Sequence, residues 1–209
     1  MNRRRGTSEG GREKILRAAL GCFSRDGVAG TPLGRLLSES GVSAGSFYHH
    51  FTGKEEVAAV LYAETLRGYQ EGFLRELRRH ADPQAAVAAC VAFHIDWCRR
   101  HPDHARFLFT ERPPGRQEPG GRELADYNRA FYTDVLAWWR QHEHHGALRP
   151  LDIVTAYVLW LGPAQELCRQ WLTGRAPEPS PDQIALLGEA AWQALRQPDS
   201  RPSQKGSRT

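Results

Sequence analysis

The sequence of 209 residues has only four cysteines, one methionine and no long apolar run. A helix needs about 20 consecutive apolar residues to span a bilayer, so we predict no transmembrane segment. The basic start of the chain is not followed by an apolar segment, and we therefore expect no secretory signal peptide. None of the cysteines forms a C-x-x-C pair, which favours buried, reduced thiols and a cytoplasmic protein.

The sequence also lacks internal repeats and the alternating apolar pattern that is typical of β-strands. Apolar residues instead recur at helical spacing through almost the whole chain, and Pro, Gly and polar capping residues divide it into about nine segments. We therefore predict an all-α fold of about nine helices. An N-terminal three-helix domain with a helix-turn-helix motif is expected to precede a larger helical domain.

Two helix starts have recognisable capping signals. Thr31 precedes Pro32, which suits an N-cap followed by proline at the first helical position. Thr52 lies three residues before Glu55, which is the spacing of a capping box. These signals predict that the second helix begins at Pro32 and that a long fourth helix begins just after Thr52.

Positive charge is concentrated at the N-terminal end. Residues 1–54 contain nine Lys/Arg and four Asp/Glu, whereas residues 55–197 contain sixteen and nineteen. This distribution indicates a polyanionic partner for the N-terminal end. We expect a disordered basic arm at 1–8, a helix-turn-helix domain at 9–54, the larger domain at 55–197 and a disordered polar tail at 198–209.

The segment GVSAG, residues 41–45, has two interpretations. It fits G-x-S-x-G, in which Ser43 would be the nucleophile of a serine hydrolase on a turn that follows a buried strand. The preceding residues 36–40 become polar next to Gly41 and follow a helix start, so they make a poor buried strand. We therefore favour a turn between two helices, in which Ser43 caps the second helix.

The residues around this turn extend the helix-turn-helix interpretation. Phe47 and Phe51 are four residues apart and are expected to point into a small core. The second helix of such a motif lies in the major groove of DNA and uses its N-terminal residues on base edges. Small residues at Ala44, Gly45 and Ser46 let that end approach the bases closely.

This stretch resembles the TetR family of bacterial transcriptional repressors, whose pattern is approximately G-V-S-x-G-x-[LIF]-Y-x-H-F-x-x-K. The resemblance covers about residues 10–57, and the Gly34-Arg35 pair departs from the family's usual residues. The matching residues are Thr31, Leu36, Leu37, Gly41, Val42, Ser43, Gly45, Phe47, Tyr48, His50, Phe51 and Lys54.

The resemblance implies a repressor that binds a palindromic double-stranded DNA operator. Thr31 and Ser43 would cap helix ends that face phosphates, and Arg3, Arg4 and Arg5 would reach the minor groove or the DNA backbone. Tyr48 and His50 would contact phosphates and base edges, and Lys54 would contact a phosphate. The residues left for base reading are Ala44, Gly45, Ser46 and His49.

The resemblance also implies that the larger domain binds a small, largely apolar effector that releases the operator. The alternative is that aromatic residues at helical spacing only pack the core. His94 is the polar candidate, with Cys98 and Gln165 near it. The candidate contacts are Phe93, His94, Trp97, Phe107, Phe131, Tyr132, Trp139, Tyr157, Trp160 and Gln165.

We further expect a homodimer, because several apolar residues of the last two helices would otherwise be exposed in a single chain. A dimer of this kind binds half-sites roughly 34–36 Å apart. The candidate interface residues are Leu167, Trp171, Ile184, Leu187 and Trp192.

The histidines of segment 142–145, together with His101 and His104, fit no standard zinc spacing. We therefore predict no metal site, no cofactor and no catalytic residue. Two alternatives to an effector-controlled repressor remain: a helix-turn-helix regulator controlled by a protein partner, and a serine hydrolase that uses Ser43.

Overall fold

A computed structural model describes residues 10–198. Within this range the chain forms nine α-helices and no β-strand, which confirms the predicted all-α fold. The predicted basic arm at 1–8 lies outside the described residues, as do residues 199–209 of the tail predicted at 198–209. The helices are α1 Gly11–Asp26, α2 Leu33–Ser40, α3 Ala44–His50, α4 Lys54–Arg79, α5 Pro83–Arg100, α6 Pro102–Thr110, α7 Gly121–His144, α8 Ile153–Leu172 and α9 Pro181–Leu195.

Polar side chains cap several of these helices. The Ser43 hydroxyl accepts a hydrogen bond from the Ser46 backbone N–H at 3.3 Å, so its predicted capping role is confirmed. The Asp82 carboxylate accepts from the Ala85 N–H at 2.8 Å at the start of α5. Such caps satisfy backbone donors that have no partner inside the helix.

The two capping signals predicted from threonine are wrong in detail. Helix α2 begins at Leu33, and the completely buried Thr31 donates its hydroxyl to the Gly27 carbonyl at 2.8 Å instead of capping α2. The Glu56 carboxylate, rather than that of Glu55, accepts from the Thr52 N–H at 2.6 Å and hydroxyl at 2.7 Å. These bonds lower the pKa of Glu56, the backbone N–H having the larger effect.

We call helices α1–α3, residues 11–50, the head, and helices α4–α9, residues 54–195, the body. The head has its own apolar core, and residues from α4 and α6 complete it. Phe107 of α6 is completely buried there and stacks on Phe23 of α1, with ring centroids 6.1 Å apart. The head is therefore packed directly onto the body.

Helix α5 lies at the centre of the body, where it contacts α4, α6, α8 and α9. The buried indole of Trp160 donates to the Val87 carbonyl at 3.0 Å, and that of Trp139 donates to the Arg149 carbonyl at 3.2 Å. Both large side chains therefore bury their apolar area without leaving an N–H unpaired. Among the described residues, no helix is both long and apolar enough to cross a membrane.

Candidate DNA-binding face and effector cavities

The turn between α2 and α3 depends on Gly41. Its φ of +65° is in the left-handed region, and its N–H donates to the Leu37 carbonyl at 3.0 Å. Glycine adopts this conformation without the penalty that a Cβ imposes. Leu36 and Phe47 on either side of the turn are completely buried, so the two helices are held together through the head core.

Helix α3 buries Phe47 and presents the rest of its side chains to solvent. Tyr48 is 58% exposed, and its ring packs edge-on against Phe47 with centroids 5.4 Å apart. Seven of the nine residues predicted to bind DNA form this exposed surface. They are Ser43, Ala44, Gly45, Ser46, Tyr48, His49 and His50.

Lys54 bonds carbonyl groups of the head, and its predicted phosphate contact stays a prediction. Its ammonium donates to the carbonyls of Val28 at 2.7 Å, Thr31 at 2.9 Å and Ala29 at 3.4 Å. An ammonium has three donors, and all three are directed at protein carbonyls. Lys54 therefore clamps the connection between α1 and α2. The Thr31 side chain, predicted to cap a helix end that faces phosphates, is completely buried and does not cap α2.

Several arginines of the head, Arg35 and Arg12 among them, take part in ion pairs within the molecule. Arg35 lies 2.8 Å from Asp26 and 3.0 Å from Glu39, which joins α1 to α2. The hydrogen bond from Arg35 is the main reason that the pKa of Glu39 is lowered. Arg12 lies 2.7 Å from Glu64 of α4. These charges brace the head, so part of its basic excess serves its internal structure.

The body contains a cavity of about 290 Å³ between α4, α7 and α8. Helix α4, which the prediction did not include, contributes a wall that contains Tyr62, Tyr69 and Gln70. The Gln70 side-chain amide donates to Asn128 Oδ1 at 2.7 Å, which places a polar pair in an otherwise aromatic lining. Five predicted effector contacts line this cavity: Phe131, Tyr132, Trp139, Tyr157 and Trp160.

A second cavity, of about 300 Å³, lies between α4, α5 and α6 and is lined by three more predicted contacts, His94, Trp97 and Gln165. The two cavities adjoin, because they share wall residues from α4 and α8. The shared residues are Tyr62, Leu66, Tyr69 and Tyr157. Eight of the ten predicted effector contacts therefore surround one region of the body.

Phe93 and Phe107 line neither of these two cavities, although Phe107 borders a separate cavity of about 440 Å³ at the junction of head and body. Phe93 packs against Tyr69, with ring centroids 5.7 Å apart, and covers the α4 backbone at Gly72. Phe107 belongs to the head core. Both side chains pack an apolar core, and their predicted effector contacts stay predictions.

His94 lies in a polar cluster beside the second cavity. Its Nδ1 is 2.9 Å from the Tyr69 hydroxyl, and its Nε2 is 3.8 Å from Cys98 Sγ. Cys168 of α8 completes the cluster; the hydrogen bond from the Cys98 thiol lowers the pKa of Cys168, and the same bond raises that of Cys98. The i, i+4 spacing predicts that His94 and Cys98 lie side by side on one helix face. No sequence signal predicts that Cys168 joins them.

The five predicted interface residues of α8 and α9 are half-buried in the single chain, so each keeps part of its surface exposed, and their place in a dimer interface stays a prediction. Four of them pack against the body core: Trp171, Ile184, Leu187 and Trp192. Other residues carry the exposed apolar surface. Val154 of α8 and Leu186 of α9 are each 67% exposed, and Val158 is 54% exposed.

Comparison with known proteins identifies the family. A family model described as bacterial regulatory proteins of the tetR family matches residues 15–61. The transcriptional repressor KstR2 of Mycobacterium tuberculosis is 31% identical over 197 residues, which cover 82% of this chain and 94% of KstR2. The chain belongs to the TetR family.

Two further similarities differ in how much of the chain they cover. The transcriptional regulator LmrA of Bacillus subtilis is 41% identical over 58 residues, which cover 28% of this chain and only 31% of LmrA. A TetR-family structure from Marinobacter aquaeolei has a TM-score of 0.76 at 18% identity and covers 90% of this chain and 96% of that one. Its similarity concerns the fold, which therefore extends over the head and the body together.

Proposed function

We propose that this TetR-family chain is a transcriptional repressor that leaves a palindromic operator when a small, largely apolar effector occupies the body cavities. The observation that carries the proposal is the surface of α3: one buried aromatic residue, Phe47, anchors a short helix whose other residues all face solvent. We assign DNA binding to residues 9–54, and effector binding and dimerisation to residues 55–197.

In this proposal α3 enters the major groove. Ala44, Gly45, Ser46 and His49 face base edges, and Tyr48 and His50 contact the backbone. With side chains this small, DNA shape contributes much of the sequence preference. Thr31 and Lys54 stabilise the head instead of binding phosphate.

The chemistry of the cavities indicates the class of effector. Aromatic walls with a few polar groups suit an apolar molecule that has one or two hydrogen-bonding groups. The polar pair of Gln70 and Asn128 is the proposed anchor for such a group. KstR2 is described as a ketosteroid transcriptional regulator, which supports an effector of polycyclic, apolar character.

Helix α6 is the proposed link between effector and DNA. Its Ala105, Leu108 and Phe109 line the second cavity. At its end the Glu111 carboxylate accepts from the Val28 N–H of the head at 3.0 Å. We propose that α6 has two positions, each with its own orientation of the head. An effector that binds one position more tightly then changes the fraction of molecules whose head is oriented to bind the operator.

We also propose a homodimer that pairs the exposed apolar faces of α8 and α9 around a twofold axis. Val154, Val158 and Leu186 would be buried at its centre. Val158→Lys is expected to yield a monomer by light scattering, because it places a charge in an apolar interface. Lysine at Thr133, an exposed position of α7, is the control and is expected to leave the dimer intact.

Operator selection from random DNA, followed by gel shifts, tests DNA binding. His49→Ala is expected to weaken binding to the selected site and to relax its sequence preference, because it removes a proposed base contact. The matched control is His145→Ala, an exposed histidine of the body. Equal binding by wild type and His49→Ala would contradict the proposed orientation of α3.

A thermal-shift screen of apolar compounds tests the effector site. Ligands found in this way are expected to dissociate the operator complex, and Phe131→Trp is expected to block them by filling the first cavity. Tyr127→Trp is the control, because Tyr127 lies one turn earlier on α7 and outside both cavities. If no ligand is found and a protein dissociates the complex, control by a protein partner is the better explanation.

We propose no catalytic role for Ser43. A nucleophile elbow requires a strand before Gly41, and the chain forms helix α2 there. The Ser43 oxygen also accepts a hydrogen bond from the Ser46 N–H as a cap.

We also propose that this regulator acts in the cytoplasm, where its operator is found.

A further inference from the structure

Three metal-binding side chains meet inside the body: His94 and Cys98 of α5, and Cys168 of α8. We propose that these three residues form a buried site for a thiophilic metal ion, Zn²⁺ or Cu⁺. The site is independent of the proposed DNA-binding function. The prediction of no metal site was based on the spacing of other histidines, and the tertiary structure forms this cluster from different residues.

The distances between the donors suit a single ion. The ligand atoms of the three residues all lie within 4.8 Å of one another, and Cys98 Sγ is 3.8 Å from His94 Nε2. Zn–S bonds of about 2.3 Å and Zn–N bonds of about 2.0 Å place the ligand atoms of one ion roughly 3.5–3.8 Å apart. The two helices therefore already hold the donors near coordination distance.

The donor set determines the class of metal. Two thiols and an imidazole are soft or borderline ligands, which favour Zn²⁺ and Cu⁺ over Mg²⁺ and Ca²⁺. His94 also has the outer-shell partner that is typical of a metal-binding histidine, since its Nδ1 lies 2.9 Å from the Tyr69 hydroxyl. When Nδ1–H donates to that oxygen, the Nε2 lone pair is free to bind a metal beside the thiols.

Burial separates this cluster from the surface histidines. His94 is 3% exposed, and Cys98 and Cys168 are completely buried. A histidine buried to this extent needs polar partners, and this one has a tyrosine and the thiols. Cys22 and Cys90 are also completely buried but belong to no such cluster within residues 10–198. Burial of a cysteine is therefore not sufficient to place it beside other metal-binding side chains.

A bound ion would join α5 to α8 beside the second cavity. Three protein ligands leave one position of a tetrahedral Zn²⁺ for a water or another donor. His94 also lines that cavity, so a donor group of a molecule in the cavity has a route to the ion. Metal binding is expected to raise the melting temperature, because the ion binds the folded arrangement of the two helices.

The test uses the full chain, reduced with a phosphine under anaerobic conditions. Co²⁺ serves as the spectroscopic probe for Zn²⁺. A thiolate-to-cobalt charge-transfer band is expected at one equivalent and should disappear when Zn²⁺ is added. Zn²⁺ and Cu⁺ are then titrated separately against chromophoric chelators, which distinguishes the two metals by affinity.

Variants assign the ligands. Cys168→Ser and His94→Gln are expected to lose the charge-transfer band and the metal-dependent rise in melting temperature. Tyr69→Phe is expected to keep the band and to weaken binding about 10–100-fold, as the loss of an outer-shell partner does. Cys90→Ser is the matched control, a buried cysteine of α5 outside the cluster, and should bind like the wild type.

Circular dichroism without metal establishes that each variant is folded. The wild-type Co²⁺ spectrum and the Cu⁺ titration together decide the question even if a variant does not fold. Failure of the reduced wild type to bind either metal would overturn the proposal. Co²⁺ binding without a thiolate band would also overturn it, because such binding indicates surface histidines. Unchanged metal affinity in a folded Cys168→Ser variant would do the same.

Discussion

The head and the body fill their interiors differently. Short helices of the head enclose a core in which Phe23, Leu36 and Phe47 are completely buried. The longer helices of the body enclose two adjoining cavities of about 290 and 300 Å³ beside an apolar core. A core of completely buried side chains holds one surface in a fixed shape, which suits a unit that reads DNA. Unfilled aromatic volume suits a unit that accepts a molecule.

Buried polar groups follow the same division. In the head, the hydroxyls of Thr31 and Ser40 donate to backbone carbonyls close in sequence, at 2.8 and 3.1 Å. In the body, Gln70 and His94 pair with side chains of other helices. The bonds in the head join groups a few residues apart, so they form when the local helices and turns form. The bonds in the body depend on how distant helices pack, so a ligand that shifts the helices changes them.

The largest expected effect tests the difference in packing. Phe47→Ala is expected to lower the free energy of unfolding of the head by about 3–5 kcal/mol, because it leaves a void in a filled core. Phe131→Ala removes a side chain that already borders a cavity, so its cost should be clearly smaller. Chemical denaturation followed by circular dichroism measures both. Equal losses would break the contrast between the two regions.

A glycine pair on α4 tests the packing of the body. A Cβ at Gly72 would lie 2.5 Å from Phe93 Cζ, whereas a Cβ at Gly68 would have no atom within 4 Å. Gly72→Ala is expected to destabilise the body by about 1–3 kcal/mol through overpacking. Gly68→Ala should stabilise it by about 0.5–1 kcal/mol, because alanine restricts the unfolded chain.

Thermal and chemical unfolding of the two glycine variants gives the comparison. Adding Phe93→Leu to Gly72→Ala is expected to recover part of the loss, since it removes the ring that clashes. If both alanine variants were stabilised, Phe93 would not be packed against the α4 backbone as described.

The junction between head and body is tested at Lys54. Lys54→Met is expected to lower the free energy of unfolding by about 1–2 kcal/mol, because charge-assisted hydrogen bonds to backbone carbonyls are lost. Lys14→Met, an exposed position on α1, should change it by less than about 0.5 kcal/mol. The salt dependence of operator binding should be the same for wild type and Lys54→Met. A shallower salt slope without a loss of stability would restore the phosphate role.

The smallest expected effect is a pH dependence in α6. Burial, and secondarily the neighbouring His101, lowers the pKa of His104 below its ordinary value of 6.5, while Asp103 opposes the shift. The folded state therefore favours neutral His104. This contribution to stability is complete above about pH 6.5 and is lost as the pH falls below it.

His104→Gln is expected to reduce the loss of stability between about pH 6.5 and 5, measured by thermal unfolding in a series of buffers. His145→Gln, at an exposed position, is the control. A variant that loses as much stability as the wild type in this range would show that other groups cause the acid sensitivity.

The sequence predicted the turn and the third helix of the head more completely than the walls of the body cavities. The turn at Gly41, the cap at Ser43 and the inward direction of Phe47 follow from neighbours within a few residues. In the body, the aromatic residues of α7 and α8 were predicted as cavity walls, but the wall from α4 was missed. Helical periodicity does not distinguish a side chain that faces a cavity from one that faces a filled core.

By itself, the sequence determined the helices, the turn at Gly41 and the family pattern, because each depends on residues that are close along the chain. The tertiary structure alone decided that Lys54 binds the α1–α2 connection and that Phe107 belongs to the head core. It also brought Cys168 to His94 and Cys98. These outcomes depend on the packing of distant helices, which local spacing does not specify.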